Sequence, residues 1–122
     1  MAIFNSGQLN ASASESVAGR VRKPIFYLLG GPDDVAYANG ERDYDSLPKG
    51  TPAWKGNHGL GHSDAFDVLN AGIPGVVGRY ILQWVLRGDA RVGRWFVGDG
   101  PGAIGVGDVE YKSLKGIKVT PI

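Results

Sequence analysis

The sequence predicts an α/β fold with a short, mostly parallel sheet and flanking helices. Three observations indicate this class. Residues 24–29 are apolar on both faces, which is typical of an interior parallel strand. Residues 73–87 repeat apolar positions with a period near 3.6, which indicates an amphipathic helix. Strand-like and helix-like segments alternate along the chain, which favours parallel strands joined by crossover helices.

The first third of the chain supplies two strand predictions. Residues 2–5 form a short apolar segment that we expect to be a strand, whereas residues 8–18 are small and polar and predict a loop or a weak helix. The strand at 24–29 opens with Pro24, a position where a missing N–H is tolerated. The glycine pair that begins at Gly30 should end it sharply.

The middle of the chain predicts a helix, a strand and a loop in that order. Residues 34–47 suit a helix, with Asp33 or Asp34 as its N-cap. Residues 51–57 follow a turn and predict a short strand. Residues 58–73 are rich in glycine and predict a long loop.

The last third begins with the clearest helix and ends in weak signals. The helix at 73–87 carries Pro74 in its first turn and is followed by Gly88, as helix ends prefer. A short helix is expected over 90–96. We therefore expect an α/β segment over 1–98 and a glycine-rich tail over 99–122. Within that tail, weak strands are predicted at 109–111 and 117–119.

Composition limits the function classes. The chain has 122 residues, enough for one small domain, and a formal net charge of +1 with interspersed signs, so nucleic acid is not expected as a partner. It has no cysteine, which removes disulfides and thiolate chemistry. We expect no cofactor, no metal site and no membrane span. The absence of a secretory signal makes the cytoplasm the default compartment, and a cysteine-free chain is also compatible with secretion.

Titratable residues follow two of the predicted strands. Asp33 and Asp34 come after the strand at 24–29, and His58 and His62 come after the strand at 51–57. Because the carboxyl ends of neighbouring parallel strands lie roughly 5 Å apart, a carboxylate and an imidazole are expected to meet there. A carboxylate on one ring nitrogen fixes the histidine tautomer and stabilises the imidazolium formed during proton transfer. The order of acid and then histidine is that of the second half of a hydrolase triad.

At these residues the chain resembles α/β-hydrolase-family proteins, of a serine-esterase-like kind found in fungi and some bacteria. The similar segments are 3–7 (IFNSG), 24–39 (PIFYLLGGPDDVAYAN), 59–62 (GLGH) and 84–89 (WVLRGD). The resemblance implies that Asp34 is the catalytic acid and His62 the catalytic base, with Asp33 as the competing acid. It also implies that the chain corresponds to the C-terminal part of a hydrolase fold, without the N-terminal half that bears the nucleophile elbow.

Other interpretations of these residues remain open. Gly61-His62-Ser63-Asp64-Ala65 is a near match to a G-x-S-x-G elbow, but the segment before it is polar and flexible, and no histidine follows residue 62. His58 is expected at the surface. The aspartates are alternatively a turn and a helix cap, and His62 a loop residue without a catalytic role.

Two functions are therefore expected from the sequence. The first is hydrolysis of a small ester-like or related acyl substrate in the complete fold, with this chain supplying the acid and the histidine but no clear nucleophile. The second is non-catalytic: an unpaired sheet edge that pairs with a second copy or with a complementing chain.

Overall fold

The computed structural model describes residues 1–117, and its centre is one four-stranded sheet. The strands are β1 (Ala2–Phe4), β2 (Ile25–Leu29), β3 (Ala53–Asn57) and β4 (Gly107–Lys112). They lie side by side in the order β1-β2-β3-β4. The first three are parallel, and β4 runs antiparallel to β3. The α/β class and the mostly parallel sheet with flanking helices are thus confirmed.

Each strand prediction inside the described range corresponds to an observed strand. Residues 109–111 lie within β4, which is mostly exposed and pairs with β3 with a register irregularity between Lys55 and Asn57. The predicted strand at 117–119 falls mainly outside the described residues.

Within residues 1–117, four α-helices flank the sheet: α1 (Ala11–Val17), α2 (Tyr37–Ser46), α3 (Gly72–Ile81) and α4 (Gly100–Ala103). The segment predicted as loop or weak helix is α1, whose N-cap Asn10 accepts a hydrogen bond from the N–H of Ala13 at 2.9 Å. α3 continues as a π-helical turn over Leu82–Leu86, and Ala90–Phe96 is 3₁₀-helical.

The predicted start of α2 is wrong by three residues, and neither aspartate caps it. Its N-cap is Ala36, which makes no side-chain capping bond. The reason is local: the carboxylate of Asp34 accepts the N–H of Ala36, two residues along the chain, and so stabilises a turn instead of a helical start. The loop predicted over 58–73 is also partly helical, with 3₁₀ turns at Asp64–Phe66 and Leu69–Ala71.

Both faces of the sheet are covered, so alternate residues of β2 and β3 contribute to different cores. One face packs against α3 and the 3₁₀ segment after it, and its buried members are Phe26, Leu28, Trp54, Val77, Ile81, Val92, Phe96 and Val106. The other face packs against α2 and the end of α1, with Ala18, Ile25, Tyr27, Leu29, Tyr44, Leu47 and Ala53. This two-sided burial explains why residues 24–29 read as a continuous apolar run.

The parallel strands β1, β2 and β3 all end at the same edge of the sheet. The loops that begin at Asn5, Gly30 and His58 therefore start beside one another, and this edge holds the candidate site. None of the helices within residues 1–117 is both long enough and apolar enough to cross a lipid bilayer.

Candidate functional site

Asp34 and His62 are in direct contact at the carboxyl edge of the sheet. The ring Nδ1 of His62 lies 2.7 Å from Oδ1 of Asp34, within hydrogen-bonding distance. The two residues are 28 positions apart and come from the loops after β2 and β3. The predicted meeting of a carboxylate and an imidazole at neighbouring strand ends is therefore present in the structure, while their catalytic role stays a prediction.

The surroundings of Asp34 fix its carboxylate. Its side chain is fully buried, and Oδ1 accepts both the His62 contact and the N–H of Ala36 at 2.7 Å. The other oxygen, Oδ2, is buried and makes no hydrogen bond to residues 1–117. A turn helps to place the residue, since its N–H donates to the carbonyl of Gly31 at 2.9 Å. An acceptor held this way orients an imidazole without moving itself.

Asp33 is not part of this contact. It lies in the same turn, but it is exposed and makes no hydrogen bond to another described residue. Of the two adjacent carboxylates, the structure brings only Asp34 to His62. The sequence left this choice open, because residues 33 and 34 are chemically alike and only the geometry of the turn separates them.

His62 is half exposed, in contrast to its partner. Its side chain is 50% accessible, and within residues 1–117 no hydrogen bond involves Nε2. When Nδ1 donates to the carboxylate, Nε2 carries the lone pair of the neutral ring. The pair thus presents a base to solvent on one side and is anchored to a buried acceptor on the other.

His58 is buried, so the expectation of a surface histidine is wrong. Only 7% of it is exposed, because it directly follows β3 and its N–H donates to the carbonyl of Leu29 at 2.9 Å. The N–H of Leu60 donates to its Nδ1 at 3.1 Å, and its Nε2 lies 2.9 Å from Oδ1 of Asn5. Burial lowers the pKa of His58, and the nearby carboxylate of Asp34 partly opposes that shift.

Asn5 is the residue that sequence reasoning missed as part of the site. It is 5% exposed, and its Nδ2 donates to the carbonyl oxygens of Gly61 at 3.2 Å and His62 at 2.6 Å. Its sequence position gave one signal. An asparagine directly after a short strand and before Ser6-Gly7 suits a left-handed backbone, and φ is 45° here.

Ser63 is not placed as the nucleophile of an elbow. It is exposed, has φ −116° and ψ −36°, and precedes the 3₁₀ turn Asp64–Phe66. A nucleophile elbow is a strained turn directly between a strand and a helix, and β3 ends at Asn57, well before Ser63. No group of three or more side chains suited to hold a metal ion occurs within residues 1–117.

Comparison of the chain with known proteins finds no match. Neither a family model, nor a curated protein, nor a solved structure matches the chain.

Proposed function

We propose that this chain contributes the acid–base pair of an α/β-hydrolase-type reaction, the hydrolysis of a small ester or related acyl substrate. The observation that carries the proposal is the 2.7 Å contact between His62 Nδ1 and Asp34 Oδ1, with the acid buried and the histidine half exposed. A loop histidine without a catalytic role does not require a hydrogen bond to a fully buried carboxylate.

In the proposed reaction His62 acts as general base through Nε2. It takes a proton from the attacking hydroxyl group, whose oxygen then bonds to the acyl carbon and gives a tetrahedral intermediate. Asp34 stabilises the imidazolium, which returns the proton to the leaving oxygen as the acyl–oxygen bond breaks. The attacking hydroxyl belongs to water, or to a serine that another chain presents to Nε2.

The test is turnover of p-nitrophenyl acetate by the purified chain. We expect slow turnover that depends on His62, with His62→Gln lowering the protein-dependent rate by about 100-fold or to the background, within the range of general acid–base catalysis. Asp34→Asn should also lower it, because an amide no longer favours the productive tautomer or the imidazolium.

Two neighbouring residues provide matched controls. Asp33→Asn changes an adjacent carboxylate that does not touch His62, and Ser63→Ala removes the hydroxyl next to it in the chain. Both variants should keep the wild-type rate. Turnover that survives in His62→Gln contradicts the proposal, and turnover lost in Ser63→Ala would instead favour Ser63 as the nucleophile.

A second candidate function is pairing with another chain through the edge of the sheet, and the position of β1 favours it. β1 is an edge strand. On the side that faces β2, the N–H of Phe26 donates to the carbonyl of Met1, and the N–H of Asn5 donates to the carbonyl of Leu28. The backbone groups of Ala2 therefore face away from β2, toward the open edge. Beside β1 lies a groove of about 410 Å³, lined by apolar side chains that include Phe4, Phe66, Pro74 and Leu82.

Light scattering after size exclusion tests this candidate. If the edge joins two copies, the wild-type chain elutes at twice the monomer mass, and Ala2→Pro gives a monomer because it removes an outward-facing N–H without touching the ladder to β2. A monomeric wild type at micromolar concentration contradicts pairing between copies.

A further inference from the structure

We infer that Asn5 is a positioning residue for His62: it ties the histidine loop to the end of β1 across the end of β2. The inference depends on the proposed role of His62 as the base. Both polar atoms of the Asn5 side chain bond to the histidine loop. Nδ2 donates to the carbonyls of Gly61 and His62, and Oδ1 faces Nε2 of His58 at 2.9 Å.

The orientation of this amide follows from the tautomer of His58. Nδ1 of His58 accepts the N–H of Leu60, so it carries no proton when the ring is neutral. The proton is then on Nε2, which donates to the carbonyl oxygen of Asn5 and leaves the Asn5 NH₂ group for the loop carbonyls. The side chain of Asn5 thus hydrogen-bonds to both ends of the segment 58–62.

The backbone of Asn5 aims the side chain in this direction. Its N–H donates to the carbonyl of Leu28 at 2.9 Å, which anchors it to β2, the strand that leads to Asp34. Its φ of 45° turns the chain out of the strand direction at that point. Asparagine tolerates this left-handed conformation better than most residues with a side chain.

The bond from the N–H of Gly61 to the carbonyl of Gly30 holds the middle of the loop, but two glycines leave the backbone on either side of Leu60 permissive. Gly59 and Gly61 have φ of 69° and 76°, values that glycine adopts freely, and a Cβ at either position would meet nothing within 4 Å. A segment with two free glycines samples many conformations unless other groups hold it. Asn5 bonds to the carbonyl of His62 itself, next to the Cα that carries the ring.

The primary test uses Asn5→Gly, which keeps the left-handed backbone accessible and removes the amide. Asn70→Gly is the matched control, because Asn70 also has a left-handed φ, of 57°, but is exposed and its side chain makes no hydrogen bond to residues 58–62. The readout is the NMR resonance of the His62 Nδ1 proton bonded to Asp34, recorded together with the melting temperature. This signal reports the geometry of the pair and needs no turnover.

We expect the Nδ1 proton signal of His62 to broaden or vanish in Asn5→Gly and to persist in Asn70→Gly, with both variants folded. Asn5→Asp should also lose it, because it retains an acceptor for His58 but replaces the donor to the His62 carbonyl. Ester turnover in the Asn5 variants should fall by about tenfold or more, since a misplacement of about 1 Å can cost about 100-fold.

The outcomes separate this inference from the proposed function. An unchanged His62 signal in folded Asn5→Gly overturns the positioning role, whatever happens to turnover. An equal loss of the signal in Asn70→Gly overturns it as well, because the effect is then not specific to the tie. If wild-type turnover proves independent of His62, the proposed function fails, while the NMR comparison still decides whether Asn5 positions the ring.

Discussion

Gly30 lies so close to Asp34 that a Cβ on residue 30 would be only 2.5 Å from Oδ2 of the carboxylate. The same Cβ would also overlap the carbonyl of Gly61 in the histidine loop. Gly30 is the first residue after β2, and its own carbonyl accepts the N–H of Gly61 at 2.9 Å. The absence of a side chain at this position is therefore what lets the acid and the histidine loop approach each other.

The first prediction concerns Gly30→Ala. The added methyl group must displace the carboxylate of Asp34 or the backbone of Gly61, and overpacking of this kind costs about 1–3 kcal/mol of unfolding free energy. We expect urea denaturation to show that loss, and the NMR signal of the His62 Nδ1 proton to weaken.

Gly50→Ala is the control for that experiment. A Cβ at Gly50 would meet nothing within 4 Å, so its unfolding free energy should change by no more than about 1 kcal/mol, in the stabilising direction. If the two variants had equal free energies of unfolding, Asp34 and Gly61 would accommodate the methyl group added at residue 30 without strain.

A second prediction concerns Lys55, a charged residue in the middle of β3. Its Nζ lies 2.6 Å from Glu41 and 3.3 Å from Glu110, and only 3% of its side chain is exposed. Burial opposes the charge on Lys55, but the two carboxylates outweigh this and raise its pKa. Lys55→Met should cost about 2–4 kcal/mol in urea denaturation, because it leaves the half-buried carboxylate of Glu41 without its partner.

Two further variants test that reasoning. Glu110→Gln should change the free energy of unfolding by less than about 1 kcal/mol, since Glu110 is 60% exposed and its contact is longer. Combining Lys55→Met with Glu41→Leu should recover part of the loss, as apolar replacement of buried ion pairs often does. If the double variant is no more stable than Lys55→Met alone, the unpartnered carboxylate is not the source of the cost.

The sheet, and the meeting of a carboxylate loop with a histidine loop at one of its edges, were predictable because apolar strands leave strong patterns in the sequence. An apolar run such as 25–29 has one natural place, between two parallel strands, and the residues after such strands collect at one edge. The order of the strands was then enough to place a carboxylate loop beside a histidine loop. It did not decide between Asp33 and Asp34, which only the geometry of the turn separates.

The features that escaped prediction depend on individual hydrogen bonds. The burial of His58 follows from its bonds to Leu29, Leu60 and Asn5, and none of these leaves a periodic mark in the sequence. The late start of α2 follows from one bond between Asp34 and the N–H of Ala36. The antiparallel direction of β4 was not visible either, because its mostly exposed residues carry no strong apolar pattern.

A third prediction addresses the core between the sheet and α3. Phe96 is fully buried, with its ring 5.2 Å from Phe26 and 5.3 Å from both Trp54 and Trp84, and its carbonyl accepts the indole N–H of Trp54 at 2.8 Å. Phe96→Ala should lower the unfolding free energy by about 3–5 kcal/mol, because it leaves a cavity among these rings.

Phe66→Ala is the comparison for the same chemical change. Phe66 is 41% exposed, so removal of its ring should cost clearly less than removal of the Phe96 ring. Thermal denaturation followed by tryptophan fluorescence measures both. Similar losses at the two positions would contradict the placement of Phe96 in the core.

The last prediction is a dependence of stability on pH that comes from His58. Burial lowers its pKa below the ordinary value of 6.5, so the unfolded chain binds the proton more tightly than the folded one. The contribution of His58 to stability is therefore complete above about pH 6.5 and is lost as the pH falls through the lowered pKa of the folded state. Protonation of Nδ1 also removes the acceptor of the Leu60 N–H.

Urea denaturation of the wild type and of His58→Gln at pH 8 and pH 5 measures this term. The wild type should be the more stable protein at pH 8. Its advantage should shrink at pH 5, by at most about 2 kcal/mol, because pH 5 lies about 1.5 units below the ordinary pKa and each unit corresponds to about 1.4 kcal/mol. All other titratable groups are present in both proteins, so their contributions cancel in the comparison to first order. An advantage that is the same at both pH values would contradict a lowered pKa of His58 in the folded protein.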